Sequence, residues 1–284
     1  SGQPSFRQAF KLADGDRQQP DLMLVLTVFA LNLVILFYVG SYVQEKNIFW
    51  GMLITQWILM LMPVLLVCKG FRFNLKQTLL LNSTSWKAWA GCILLGLTSW
   101  AVIGHAVAGI QELFLPMPES FRQQMEEILG LRSSELSIVM LVIAFCVSPA
   151  VCEEFFFRGL MLAGVRDRFR LGWVVLINGA MFGIFHISIY RVLPTGVLGI
   201  LLAWVAYRSR SIYTTILLHF INNFMAIMIM KYGLFPQLSD PKSLDWRWMA
   251  GVSILFFIGI YLISSLSKQE VDASPNDEAT IPEH

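Results

Sequence analysis

Charge is scarce in this sequence. Of its 284 residues only 14% are Asp, Glu, Lys or Arg, 56% belong to the hydrophobic set, and the mean hydropathy is +0.62. A soluble domain carries roughly 25% charged and 45–50% apolar residues, so a water-soluble globule of this length is excluded. The net charge is +2 with no basic stripe, which excludes a nucleic-acid binder. A composition this apolar also excludes a chain that is disordered throughout. Cysteine is sparse: Cys68, Cys92, Cys146 and Cys152 all fall at or within apolar runs, so no extracellular disulfide framework is expected. There is no internal repeat at a period of 20–50 residues, no inverted-half symmetry of the transporter kind, and no HExxH. What remains is a polytopic membrane protein.

The apolar runs are long. A helix needs about 20 apolar residues to cross roughly 30 Å of hydrocarbon. Candidate spans cover 22–44, 47–68, 88–111, 136–162, 173–190, 192–207, 212–230 and 248–266. The sixth is short and contains Pro194 and Gly196. The first run is too long for a signal-peptide core and lacks a small-x-small cleavage site, so no cleaved leader is expected. The fold class expected is all-α, with about eight transmembrane helices and interfacial amphipathic helices. Residues 1–20 read as a polar cytoplasmic lead-in, 21–267 as the transmembrane domain, and 268–284 as an acidic disordered tail. Two connections look amphipathic: 71–86, on the side of the termini, and 118–131, on the other side. With the amino terminus inside, 14 of the 21 Lys and Arg fall on the cytoplasmic side, which places both termini in the cytoplasm. Trp50, Trp86, Trp173, Trp246 and Trp248 sit near span boundaries, as interfacial aromatics do.

Ionisable residues inside a bilayer are expensive and therefore informative. The fourth run carries three in EEFFFRG: Glu153, Glu154 and Arg158. Glu154 and Arg158 are four apart and share a helix face, so they can pair. Glu153 points about 100° away and is free for another partner. His186 and His219 also lie inside runs, with Phe182 and Asn223 four residues away on the same faces. At 1.5 Å per residue, Glu153, His186, His219 and Asn223 lie ~20, ~21, ~12 and ~18 Å from the cytoplasmic boundary. One intramembrane cavity open to the cytoplasm could gather them. Pro149 removes a helical N–H and is expected to distort the fourth helix one turn before Glu153. Histidines 105 and 284 read as a packed residue and part of the tail, and Cys152 has no histidine at a fixed spacing to activate it.

In these residues the sequence resembles the CPBP family, the CAAX proteases and bacteriocin-processing (abortive-infection) enzymes related to the Ras-converting CAAX prenyl endopeptidase. The family pattern is EExxxR, FxxxH and HxxxN, each in a transmembrane helix. Here it reads Glu153-Glu154-xxx-Arg158, Phe182-xxx-His186 and His219-xxx-Asn223, in that order. The resemblance covers about 85–230 closely and implies an intramembrane endopeptidase. By analogy Glu153 would activate water, His186 would orient or share its proton, and His219 and Asn223 would donate to the oxyanion. Glu154 and Arg158 would be the supporting pair. Such hydrolysis needs a base that works near neutral pH and fixed donors in a dry site.

Two questions stay open at the level of sequence. Glu153, His186 and His219 could instead hold zinc as a two-His, one-carboxylate set, although a metal-free glutamate-activated water is the preferred reading, with no cofactor. The expected partner is a membrane-associated, CAAX-like lipidated peptide or protein in a bacterial plasma membrane. The competing classes are a non-catalytic scaffold or immunity protein, and a small transporter with a proton relay.

Overall fold

The computed structural model describes residues 19–121, 123, 136–233 and 245–266. Among them every regular element is helical, and seven helices are long and apolar enough to cross a membrane. They are α1 (Leu22–Lys46), α2 (Ile48–Gly70), α3 (Trp86–Phe114), α4 (Ile138–Val165), α6 (Ile189–Ser209), α7 (Ile212–Tyr232) and α8 (Trp246–Ser264). Between α4 and α6 lies α5 (Leu171–Ile184), apolar but only 14 residues long. The protein is an all-α integral membrane protein. The short member is the fifth apolar helix, whereas the sequence pointed to the sixth.

The physical reason is a turn hidden inside an apolar run. His186 N and Ile187 N bond back to Gly183 O and Ile184 O, tightening the end of α5. Ile187 then takes φ +49°. A left-handed conformation costs an L-residue roughly 1–2 kcal/mol and is unusual for a β-branched one. The run continues in hydropathy, but the helix stops. At 1.5 Å per residue α5 is ~21 Å long, too short to cross.

The reversed chain packs backbone against backbone. A Cβ on Gly183 would lie 2.5 Å from Val192 O, and one on Gly179 would lie 2.8 Å from Ile200 N and 2.9 Å from Gly196 O. Gly179 and Gly183 are four apart, the small-xxx-small spacing that lets helices approach in lipid. On α4, Gly159 receives Leu79 and Gly164 receives Val25, whose side chains leave no room for a Cβ. Around them Phe156, Phe157, Phe182 and Phe185 form the aromatic centre of the largest apolar cluster.

The connection over 71–86 does not lie along the interface as an amphipathic helix. Only Leu75–Thr78 is helical. Phe73, Leu79 and Leu80 are buried, and Leu80 O accepts from Ile212 N at 2.9 Å. The segment is tucked into the bundle because Leu79 fills a cleft at Gly159 and Leu80 packs with Leu162, Val165 and Ile212. Of the second expected amphipathic segment, residues 122 and 124–131 lie outside the described residues, as do 1–18 of the lead-in and the tail over 268–284.

All four cysteines are buried free thiols, and His105 Nδ1 lies 2.8 Å from Ala101 O of its own helix. Trp50, Trp86, Trp173 and Trp246 are exposed near helix ends. Gly183→Ala is expected to destabilise the protein by about 1–3 kcal/mol through overpacking. Gly104→Ala, where a Cβ would meet nothing within 4 Å, should be neutral or stabilising by up to about 1 kcal/mol. Unfolding of the two variants in the same detergent compares them.

Candidate active site

The irregular helix α4 supplies the acidic residues. Its segment Ser148–Glu154 is α-helical between two π-helical stretches, Val142–Val147 and Phe155–Met161. Pro149 stands at the start of that α-helical segment, just after the first π-helical stretch. A π-turn moves carbonyls off their usual donors, and in lipid each of them needs an internal partner. Phe145 O would ordinarily take the N–H of position 149, which proline lacks. Asn223 Nδ2 of α7 donates to it instead, at 3.2 Å. Asn178 Nδ2 of α5 likewise donates to Phe157 O in the second stretch, at 2.8 Å.

Glu154 and Arg158 have no exposure, and Arg158 Nη1 donates to Glu154 Oε1 at 2.9 Å. This is the pairing expected from their spacing. Arg158 Nη2 donates to Gly199 O of α6 at 3.0 Å, and the guanidinium carbon lies 4.5 Å from the Phe182 ring centre. The same Glu154 Oε1 also accepts from His219 Nδ1 of α7 at 2.8 Å. One oxygen thus ties α4 to α7, and its guanidinium partner ties α4 to α5 and α6.

That bond sets the imidazole. With Nδ1–H donated to Glu154, the neutral ring of His219 presents a lone pair at Nε2. Nε2 lies 3.9 Å from Glu153 Oε2, too far for a direct hydrogen bond. It is close enough for one oxygen atom to bond to both. His186 sits in the turn after α5, with Nδ1 2.8 Å from Phe182 O, so its Nε2 is also the lone-pair nitrogen. Phe182 packs edge-on against both rings, at 5.0 Å from His186 and 5.8 Å from His219. The structure brings Glu153, Glu154, Arg158 and His219 into direct contact or near it. His186 joins them through Phe182, and Asn223 through α4.

Two features were missed by sequence reasoning. Gln56 of α2 donates from Nε2 to Glu153 Oε1 at 2.9 Å. Its signal was a neutral polar residue in the middle of an apolar run. Asn222, the neighbour of Asn223, accepts from Ser99 Oγ of α3 at 2.9 Å, so adjacent amides anchor α7 to different helices.

Packing around the site is asymmetric. At the end where α4 finishes, Leu162, Val165, Val174, Ala206 and Ile212 are buried. At the other end Val139, Ile189, Tyr232 and Phe114 are exposed, although Leu141 and Ile227 are buried there. Glu153 lies where the tight half gives way to the loose one, at 9% exposure against none for Glu154.

Residues 135–225, which hold all three motifs, match a family model named Rce1-like, described as Type II CAAX prenyl endopeptidase Rce1-like. Over this segment, about a third of its length, the chain is similar to the CAAX proteases of that description. No curated protein and no solved structure matches the chain. An Rce1-like segment in a bundle of apolar helices makes this, in general terms, a membrane-embedded protease of CAAX type. Gln56 lies outside the Rce1-like segment.

The family's zinc question meets the geometry here. Among the described residues no three His, Cys, Asp or Glu side chains are grouped as metal ligands, and Glu153, His186 and His219 are no exception. Each imidazole engages Nδ1 and keeps Nε2 free, as a zinc-bound histidine also does, so it is the spacing of the three side chains, not their hydrogen bonds, that does not fit a zinc ion as arranged. Breaking the buried ion pair should cost more than removing it. Arg158→Met alone is expected to destabilise by about 3–5 kcal/mol, and adding Glu154→Gln should recover part of that loss. Chemical unfolding of the single and double variants checks this.

Proposed function

We propose that the protein is an intramembrane endopeptidase that hydrolyses a peptide bond in a membrane-associated, CAAX-like lipidated peptide or protein, using water activated by Glu153. The placement of His219, bonded to Glu154 on one side and 3.9 Å from Glu153 on the other, is the observation that carries this reading. A water oxygen shared by Glu153 Oε2 and His219 Nε2 would be oriented by both lone-pair acceptors. Glu153 Oε2 takes one proton from it, and the oxygen bonds to the substrate carbonyl carbon as the carbonyl electrons move onto oxygen. When the C–N bond breaks, its electron pair stays on nitrogen. Glu153 returns the proton there as the oxyanion electrons re-form the carbonyl, leaving a carboxylic acid and a free amine.

The tautomers redistribute the roles that the resemblance implies. A neutral His219 held through Nδ1–H cannot donate from Nε2, so in this mechanism it orients water instead of binding the oxyanion. The same holds for His186. Asn223 keeps a second amide N–H beyond the one given to Phe145 O, and an amide donates at any pH. It is therefore the oxyanion donor. Glu154 and Arg158 act through His219, in the way a buried carboxylate fixes the imidazole of a catalytic triad.

Substrate is proposed to approach from the loosely packed end, where Glu153 has its remaining exposure. The membrane is taken as a bacterial plasma membrane, with both termini cytoplasmic on the distribution of Lys and Arg.

Comparison of peptide termini in membranes holding the intact protein or Glu153→Gln is the test. The intact protein should generate new termini that the variant does not. Asn223→Ala should slow their formation by about 10²–10³-fold, the usual loss of one oxyanion donor. Purified protein should keep its rate after treatment with a zinc chelator. Identical termini with Glu153→Gln would leave a non-catalytic scaffold as the better reading, and a chelator-sensitive rate would favour zinc.

A further inference from the structure

Gln56 sits in a π-helical stretch of α2, Ile54–Leu61, and is only 5% exposed. Its Nε2 donates to Glu153 Oε1, while its own Oε1 is buried with no hydrogen-bond partner. The orientation of the amide follows from its partner. Turned over, it would set its oxygen against the carboxylate.

Half of this side chain is therefore a liability. A buried, unsatisfied carbonyl costs about 1–3 kcal/mol, and an apolar side chain of the same shape would avoid that. The site accepts the cost where α2 meets the reacting carboxylate. A local rule broken beside an active centre points to function.

We propose that Gln56 is a positioning residue for the reaction: by holding Oε1 of Glu153, it leaves Oε2 as the oxygen that faces His219 and exchanges the proton. This rests on the role proposed for Glu153 and extends the reacting site to a helix beyond the Rce1-like segment. Without the bond, the carboxylate can rotate about its last torsion, and neither oxygen is fixed 3.9 Å from Nε2. A small misplacement of a reacting group is enough to slow a reaction about a hundredfold.

The test pairs a rate with a stability. Gln56→Met keeps length and helix preference while removing both polar atoms. In membranes holding equal amounts of protein, it should form the same new termini at least tenfold more slowly than the intact protein, by about one order of magnitude in rate or more. Its unfolding midpoint in detergent should be nearly unchanged, because the partner lost by Glu153 Oε1 is offset by removal of the unpaired Gln56 oxygen. A residue that merely held α2 to α4 would lose stability and activity together, so a lowered midpoint would overturn the proposal. So would an unaltered rate. Glu153→Gln run alongside separates the two levels. If it is inactive while Gln56→Met is fully active, only the role of Gln56 fails. If Glu153→Gln still forms the termini, the base itself is wrong and the positioning role falls with it.

Discussion

A single oxygen, Oε1 of Glu154, accepts hydrogen bonds from Arg158 and His219 with no exposure to solvent. A lone carboxylate at that depth would carry a desolvation penalty of several kcal/mol, so the bundle must close around its partners. Arg158 reaches on to Gly199 O, and its guanidinium lies over Phe182. The ion pair thereby fixes the places of α4, α5, α6 and α7 together. It also decides the chemistry, because the proton that His219 gives to Glu154 is one it cannot offer to a substrate. The supporting pair and the reacting carboxylate are neighbours in sequence, yet they face different surroundings. Glu154 is sealed, and Glu153 lies at the edge of the loosely packed half.

The backbone obeys the same constraint. π-Helical stretches occur in α1, in α2 and twice in α4, and in α2 and α4 a side-chain amide from a neighbouring helix meets a carbonyl of each. Asn32 donates to Leu59 O, Asn223 to Phe145 O and Asn178 to Phe157 O. In hydrocarbon no water is available for such carbonyls, so these irregular helices persist only with those amides in place. Those in α2 and α4 lie beside the functional groups: Gln56 within the one in α2, and Glu153 and Glu154 between the two in α4. Asn223 thus has one structural bond and one N–H to spare, which explains how an amide can serve the helix and the proposed oxyanion site at once.

Much of this could be read in advance. Charges are so rare that EEFFFRG stood out, and the four-residue spacing of Glu154 and Arg158 led directly to the observed ion pair. Helical rise alone suggested that Glu153 and His219 could meet, and they lie 3.9 Å apart. Other features left no trace in composition. The turn after α5 is made by Ile187 in a left-handed conformation, where a glycine or proline would have announced it, and the apolar run masks the break. The burial of Leu79 depends on a cleft at Gly159, eighty residues away in the chain. π-Turns have no residue signature, so their amide partners read as ordinary polar residues. Gln56 carries no charge, and its importance rests entirely on a contact with α4.

Oxygen tracing in a single turnover tests direct attack by water on the substrate carbonyl most plainly. A peptide spanning the cut bond would be mixed with excess protein in water enriched in oxygen-18. The account predicts that the new carboxylate carries one labelled oxygen and that Glu153 carries none. Label in the Glu153 side chain, with an unlabelled product, would show that the carboxylate attacks the peptide itself, and the general-base account would be wrong.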